Sequence, residues 1–135
     1  MSKENFKSMK SGEFKKLNNG TLAGFYVTIS CKYIQTWEQL AEALGNAFQF
    51  PLRNEGWDGT ADWLTDFTWL KLDDGAPISI YFLESNELLK TNLPLRKQVI
   101  EFFEDIVQTW KDEEKLGYIG GKPGVPRQFN IYFVD

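Results

Sequence analysis

Apolar and polar positions change period several times along this chain, and each change marks an element. Residues 24–31, GFYVTISC, are aromatic and β-branched and predict a strand. Trp37, Leu40, Ala41, Leu44 and Phe48 then recur at helical spacing, so residues 37–48 form an amphipathic helix. Thr36-Trp37-Glu38-Gln39 reads as its capping box, and Pro51 stops it. Residues 77–83, PISIYFL, form a buried strand. Leu95, Val99, Phe103, Ile106 and Trp110 mark a long helix that starts at Asn92-Leu93-Pro94 and ends near Gly117. After a Gly- and Pro-rich connector over 120–126, the last strand, 127–134, alternates Phe129, Ile131 and Phe133 against Asn130 and Tyr132. The connector has neither the Walker spacing nor a helix start behind it, which removes a phosphate-loop reading.

The stretch 50–67, FPLRNEGWDGTADWLTDF, opens as a loop and closes as a short amphipathic helix. On a helix Trp57, Ala61, Leu64 and Phe67 share a stripe, which predicts a buried face. Asp58, Asp62 and Asp66 succeed one another at intervals of four, which lines three carboxylates along a different face. Like charges so placed repel by roughly 0.2–0.5 kcal/mol per pair, so local folding gains nothing from the row. A solvated helix face explains it blandly; an anionic surface for a cationic partner explains it functionally. Glu55, on the loop just upstream, adds to the same field.

The element order is β-α-α-β-α-β, with helices long enough to cross over between parallel strands. The expected fold is therefore α/β, a small three-stranded parallel sheet packed by helices. Residues 24–135 make one domain. Residues 1–23 form a basic N-terminal extension, either a hairpin closed at Asn19-Gly20 or a partly disordered tail. Charge divides along the same line. The extension holds five Lys against two Glu, a net +3; residues 24–135 hold ten basic against seventeen acidic residues, a net −7. An acidic body disfavours nucleic acid, whose phosphates need clustered Lys and Arg, and suits a basic protein partner.

Chemistry is bounded by what is missing. With no histidine, a Ser-His-Asp triad and a thiol–imidazole pair are excluded. The single Cys31 sits in an apolar run and reads as a small buried hydrophobe. No metal-ligand cluster of the usual kind and no cofactor motif is present. With neither a long apolar run nor an apolar segment behind the Lys-rich start, a cytoplasmic location without membrane contact is expected.

Stretch 50–67 resembles the central segment of the barstar family of intracellular ribonuclease inhibitors. Phe50-Pro51 matches its opening, Trp57-Asp58 its W-D step, Asp62 its second acidic position, and Leu64-Thr65-Asp66 the residues after that position. The flanking elements agree, so the resemblance spans residues 24–135. Leu52-Arg53-Asn54 replace the family's paired loop aromatics and glycine. The resemblance implies a protein without catalytic chemistry that places its central helix and loop over the active site of a basic secreted ribonuclease. Asp62 would take the phosphate site and Asp58 would anchor the helix start. Glu55 and Asp66 would extend the negative surface, with Arg53 and Asn54 beside them. Glu104 or Asp105 would supply the acidic contact from the long helix, and Trp57 would belong to the core.

Three other readings compete. Asp58 and Asp62 as an acid/base pair would need one carboxyl in an apolar pocket and a groove for sugar. An immunity protein against a DNase or tRNase toxin would use the same acidic helix. A non-inhibitory interaction module would leave the carboxylates merely solubilising.

Overall fold

The computed structural model describes residues 3–18, 24–53, 56–119 and 121–135. The framework is a parallel sheet of β1 (Phe6–Met9), β2 (Phe25–Ser30), β3 (Ile78–Leu83) and β6 (Phe129–Val134), in the order β1-β6-β3-β2. The helices are α1 (Ser11–Leu17), α2 (Trp37–Phe48), α3 (Trp57–Leu64), α4 (Leu93–Lys111) and α5 (Glu113–Leu116). Between α5 and β6 lies a small antiparallel ribbon, β4 (Tyr118–Ile119) with β5 (Lys122–Pro123).

The class and parallel arrangement are as expected, but the sheet has four strands rather than three. The extra strand is β1, whose Phe6 and Met9 stand opposite Ile131 and Val134 of β6. The Met9 carbonyl accepts from Asp135 N–H at 3.0 Å, and the Asp135 carbonyl accepts from Ser11 N–H at 2.8 Å. The N-terminal segment is thus tied to the last strand. The turn signal Asn19-Gly20 lies outside the described residues.

Strand alternation sorts side chains onto two faces. Ile78, Ile80 and Phe82 of β3, with Val27, Ile29, Phe129 and Ile131, face the main core. Over them lie Leu40, Leu44 and Phe48 of α2, Leu64 of α3, and Val99, Phe103, Ile106 and Trp110 of α4. The opposite face carries Tyr26, Tyr81, Tyr132 and Val134, and α1 closes it through Phe14, 4.9 Å from the Tyr81 ring. A parallel sheet needs both faces covered, and α1 supplies the second cover.

The helix ends obey local chemistry. Thr36 Oγ1 accepts from Gln39 N–H and Gln39 Oε1 from Thr36 N–H, both at 3.1 Å, completing the expected capping box. α2 stops at Phe48, where Gln49 turns left-handed (φ 56°), two residues before Pro51. The expected single helix from residue 93 to about 117 is two helices. The chain leaves helical geometry at Asp112 (φ −116°, ψ 108°), whose carboxylate accepts from Glu114 N–H and starts α5. α3 is also shorter than its stripe suggested: it ends at Leu64, and Thr65 Oγ1 donates to the Ala61 carbonyl at 2.8 Å. Thr60 and Leu64 are its buried residues, whereas Ala61 is half-buried and Trp57 reaches the surface.

Candidate protein-binding site

α3 begins at Trp57 without a side-chain cap, because Gly56 holds the N-cap position. Aromatic packing does the anchoring. The Trp57 ring lies on Trp37, the first residue of α2, with centroids 3.7 Å apart and planes 8° from parallel. Phe102 of α4 meets both indoles edge-on, at 5.2 and 5.5 Å. Three helices are thereby joined at one point. Trp57 still exposes 36% of its surface, so the expectation of a core residue holds for only part of its ring system.

One residue on, Asp58 is exposed, and Asp62 is exposed one turn later. Asp58 also benefits from the positive end of the helix dipole. Neither carboxylate makes an ion pair or side-chain hydrogen bond among the described residues. Asp66 does not continue the row. It lies beyond the end of α3, half-buried, and its Oδ1 accepts from Thr68 N–H at 2.9 Å in a local turn. The helix holds two outward aspartates, not three.

In the preceding loop Leu52 is 70% exposed. Arg53 Nη2 stands 3.5 Å from Glu42 Oε2 on α2, so its charge is set against a carboxylate of the neighbouring helix. Asn54 and Glu55 lie outside the described residues.

α4 completes the surface. Gln98, Glu101 and Asp105 line a shallow cleft of about 290 Å3 with Trp57 and Phe102. Of the two expected candidates, Asp105 therefore adjoins the start of α3. Glu104 lines a neighbouring groove with Leu93, Arg96, Lys97 and Ile100, and Glu101 borders both. Glu101 was not foreseen, although its place four residues before Asp105, off the core stripe of α4, is the signal that finds it. Like the two aspartates of α3, Glu101 and Asp105 make no ion pair or side-chain hydrogen bond among the described residues.

Among the described residues, Lys7, Lys10, Lys15 and Lys16 of the basic extension pair with none of these four carboxylates. Lys7 belongs to β1, Lys15 and Lys16 to α1, and Lys10 joins the two, while α1 covers the sheet face away from α3 and α4. Lys7 lies 5.9 Å from the Tyr132 ring centre.

The arrangement offers little to catalysis. Asp58 and Asp62 are exposed rather than set in an apolar pocket of the kind an acid/base pair needs. Cys31 is fully buried, and burial pushes its thiol up to about 12, which withholds the nucleophilic thiolate.

Exposed carboxylates of α3 and α4 and a stacked indole pair thus lie on a parallel α/β fold. The family model of barstar, the barnase inhibitor, matches residues 25–119, and the chain belongs to that family. Neither a curated protein nor a solved structure matches it. β1, α1, β5 and β6 lie outside the matched span. No helix among the described residues is long and apolar enough to cross a membrane.

Proposed function

We propose that this protein inhibits a basic secreted microbial ribonuclease by laying the loop before α3, α3 itself and the facing edge of α4 over the enzyme's active site. The observation that carries the reading is a set of four carboxylates unpaired among the described residues: Glu101 and Asp105 of α4, which line the Trp57 cleft, and Asp58 and Asp62, exposed on the helix that Trp57 begins. An active site that binds RNA phosphates presents Lys and Arg, and this surface offers them fixed anions instead. Exposed carboxylates speed the encounter, and those buried in the complex lengthen its lifetime. Asp62 takes the phosphate position and Asp58 anchors beside it. Such a protein works as an immunity factor in the cytoplasm of the bacterium that makes the nuclease.

The loop points to a changed target within that class. Leu52 presents an apolar contact where the family has aromatics, and Arg53 is set against Glu42. A panel of basic microbial ribonucleases, assayed for RNA cleavage as the protein is titrated in, tests the reading. One-to-one inhibition that weakens with salt is expected for at least one enzyme, and Asp62→Ala should reduce it by about 2–5 kcal/mol of binding energy with little change in Tm. Inhibition of DNase or tRNase toxins alone would move the assignment to those nucleases.

A further inference from the structure

A cavity of about 380 Å3 lies beyond the ends of α3 and α4 and shares no residue with the Trp57 cleft. Phe67, Leu70, Trp110 and Ile119 are among its apolar walls, and Lys122 and Arg127 bring two cations to it. Its volume is in the range of small-molecule sites.

Arg127 is the unusual group. Its Nη1 donates to the Ala76 carbonyl at 2.7 Å, and its guanidinium lies 5.0 Å from the Trp110 ring centre. Its Nε is buried and has no hydrogen-bond partner among the described residues. No carboxylate among the described residues pairs with it within ion-pair distance. A guanidinium cannot shed its charge to escape burial, so this one is left short of an acceptor. Trp110 is held in turn, because its Nε1 donates to the Leu64 carbonyl at 2.8 Å. Gly124 keeps the wall tight: a Cβ there would stand 2.7 Å from Leu116 Cβ.

Asp66 and Asp74 also line the cavity. Two carboxylates beside two cations leave no surplus positive charge for a phosphate dianion, while one guanidinium still needs an acceptor. We propose that the cavity binds a small organic monocarboxylate with an apolar body. Its carboxylate pairs with Arg127, with Lys122 adding attraction, and its hydrocarbon part rests on the half-buried Leu70, Leu72 and Ile119. This site is independent of the nuclease-binding face.

The test is an NMR titration of the full chain with phenylacetate, its neutral isostere phenylacetamide, and phenyl phosphate. Phenylacetate is expected to saturate below about 10 mM and to shift the amides of Ile119, Gly124 and Val125 and the Trp110 indole. Phenylacetamide should bind roughly tenfold more weakly, since it cannot make the charge-assisted bond. Arg127→Gln should erase the difference between acid and amide. Exposed Lys122→Gln, which leaves the fold alone, should weaken the acid alone by about threefold. Failure of phenylacetate to saturate, equal binding of the amide, tighter binding of the phosphate, or indifference to Lys122→Gln would each overturn the proposal.

Discussion

Trp57 rests flat against Trp37, so the first residue of α3 is clamped to the first residue of α2. The clamp matters because α3 has only eight residues, Gly59 within it, and no side-chain cap. A helix so short does not hold itself in water. Asp58 and Asp62 keep their outward setting because the indole pair and Phe102 fix where the helix begins. Trp57→Ala should cost about 2–3 kcal/mol of stability, less than for a fully buried Trp. Urea unfolding followed by circular dichroism measures it. Nuclease binding should weaken beyond that of an exposed control such as Leu93→Ala. A stability loss below about 0.5 kcal/mol, the usual limit for plain surface substitutions, would show that the stack does not organise α3.

Much of the frame was legible because it depends on local rules. The α2 stripe and its Thr36–Gln39 box are read within a dozen residues, and β3 is an apolar run broken only by Ser79 whose burial on both faces follows from a parallel sheet. What escaped is non-local. Phe6 to Met9 is a weak strand on its own, and its partner is β6 at the other end of the chain. The loss of Asp66 from the acidic row follows from Phe67, which is buried with φ 61° and turns the chain inward after Leu64. Burying that ring outweighs three more residues of helix. The choice between Glu104 and Asp105 rests on which side of α4 meets Trp57, and no spacing rule within α4 contains that information.

That choice has a direct consequence for binding. Asp105 lines only the Trp57 cleft and Glu104 only the groove with Arg96 and Lys97, while Glu101 stands between the two and lines both. Asp105→Ala should therefore weaken the nuclease complex by about 1–3 kcal/mol, and Glu104→Ala by less than about 0.5 kcal/mol. Glu101→Gln should slow association and flatten its salt dependence more than it changes dissociation, as expected for an exposed charge at a rim. Stopped-flow association at several ionic strengths separates these effects. Equal losses for Asp105 and Glu104 would place the contact elsewhere on α4.

The N-terminal segment is part of the folded unit, and Phe14 is the reason. Its buried ring packs against Tyr81 across the sheet face that no other helix covers among the described residues. Phe14→Ala should destabilise by about 3–5 kcal/mol. Removing residues 1–18 should cost more and expose the Tyr26–Tyr81–Tyr132 face, which chemical denaturation and ANS binding would report. A truncated chain as stable as the full one would reduce α1 to an appendage.

Two buried acids tie stability to alkaline pH. Burial raises the Cys31 thiol from 9.0 to about 12. Burial, and after it the neighbouring Tyr132, raises the Tyr81 phenol from 10.0 to about 12. In both cases the folded state keeps its proton to higher pH than the unfolded chain does. The stabilisation is thus complete below the unfolded values and falls away as pH rises from about 9 toward 12, once the unfolded chain releases protons that the native state retains. Each group lowers stability by at most about 1.4 kcal/mol per pH unit within its window. Cys31 acts first, because its unfolded value is lower. Cys31→Ala costs some packing at every pH but removes the thiol's share, so the variant's urea midpoint should fall less steeply between pH 9 and 10 than the parent's. Parallel curves for the two proteins across that interval would mean that the thiol titrates alike in both states and that its burial carries no such linkage.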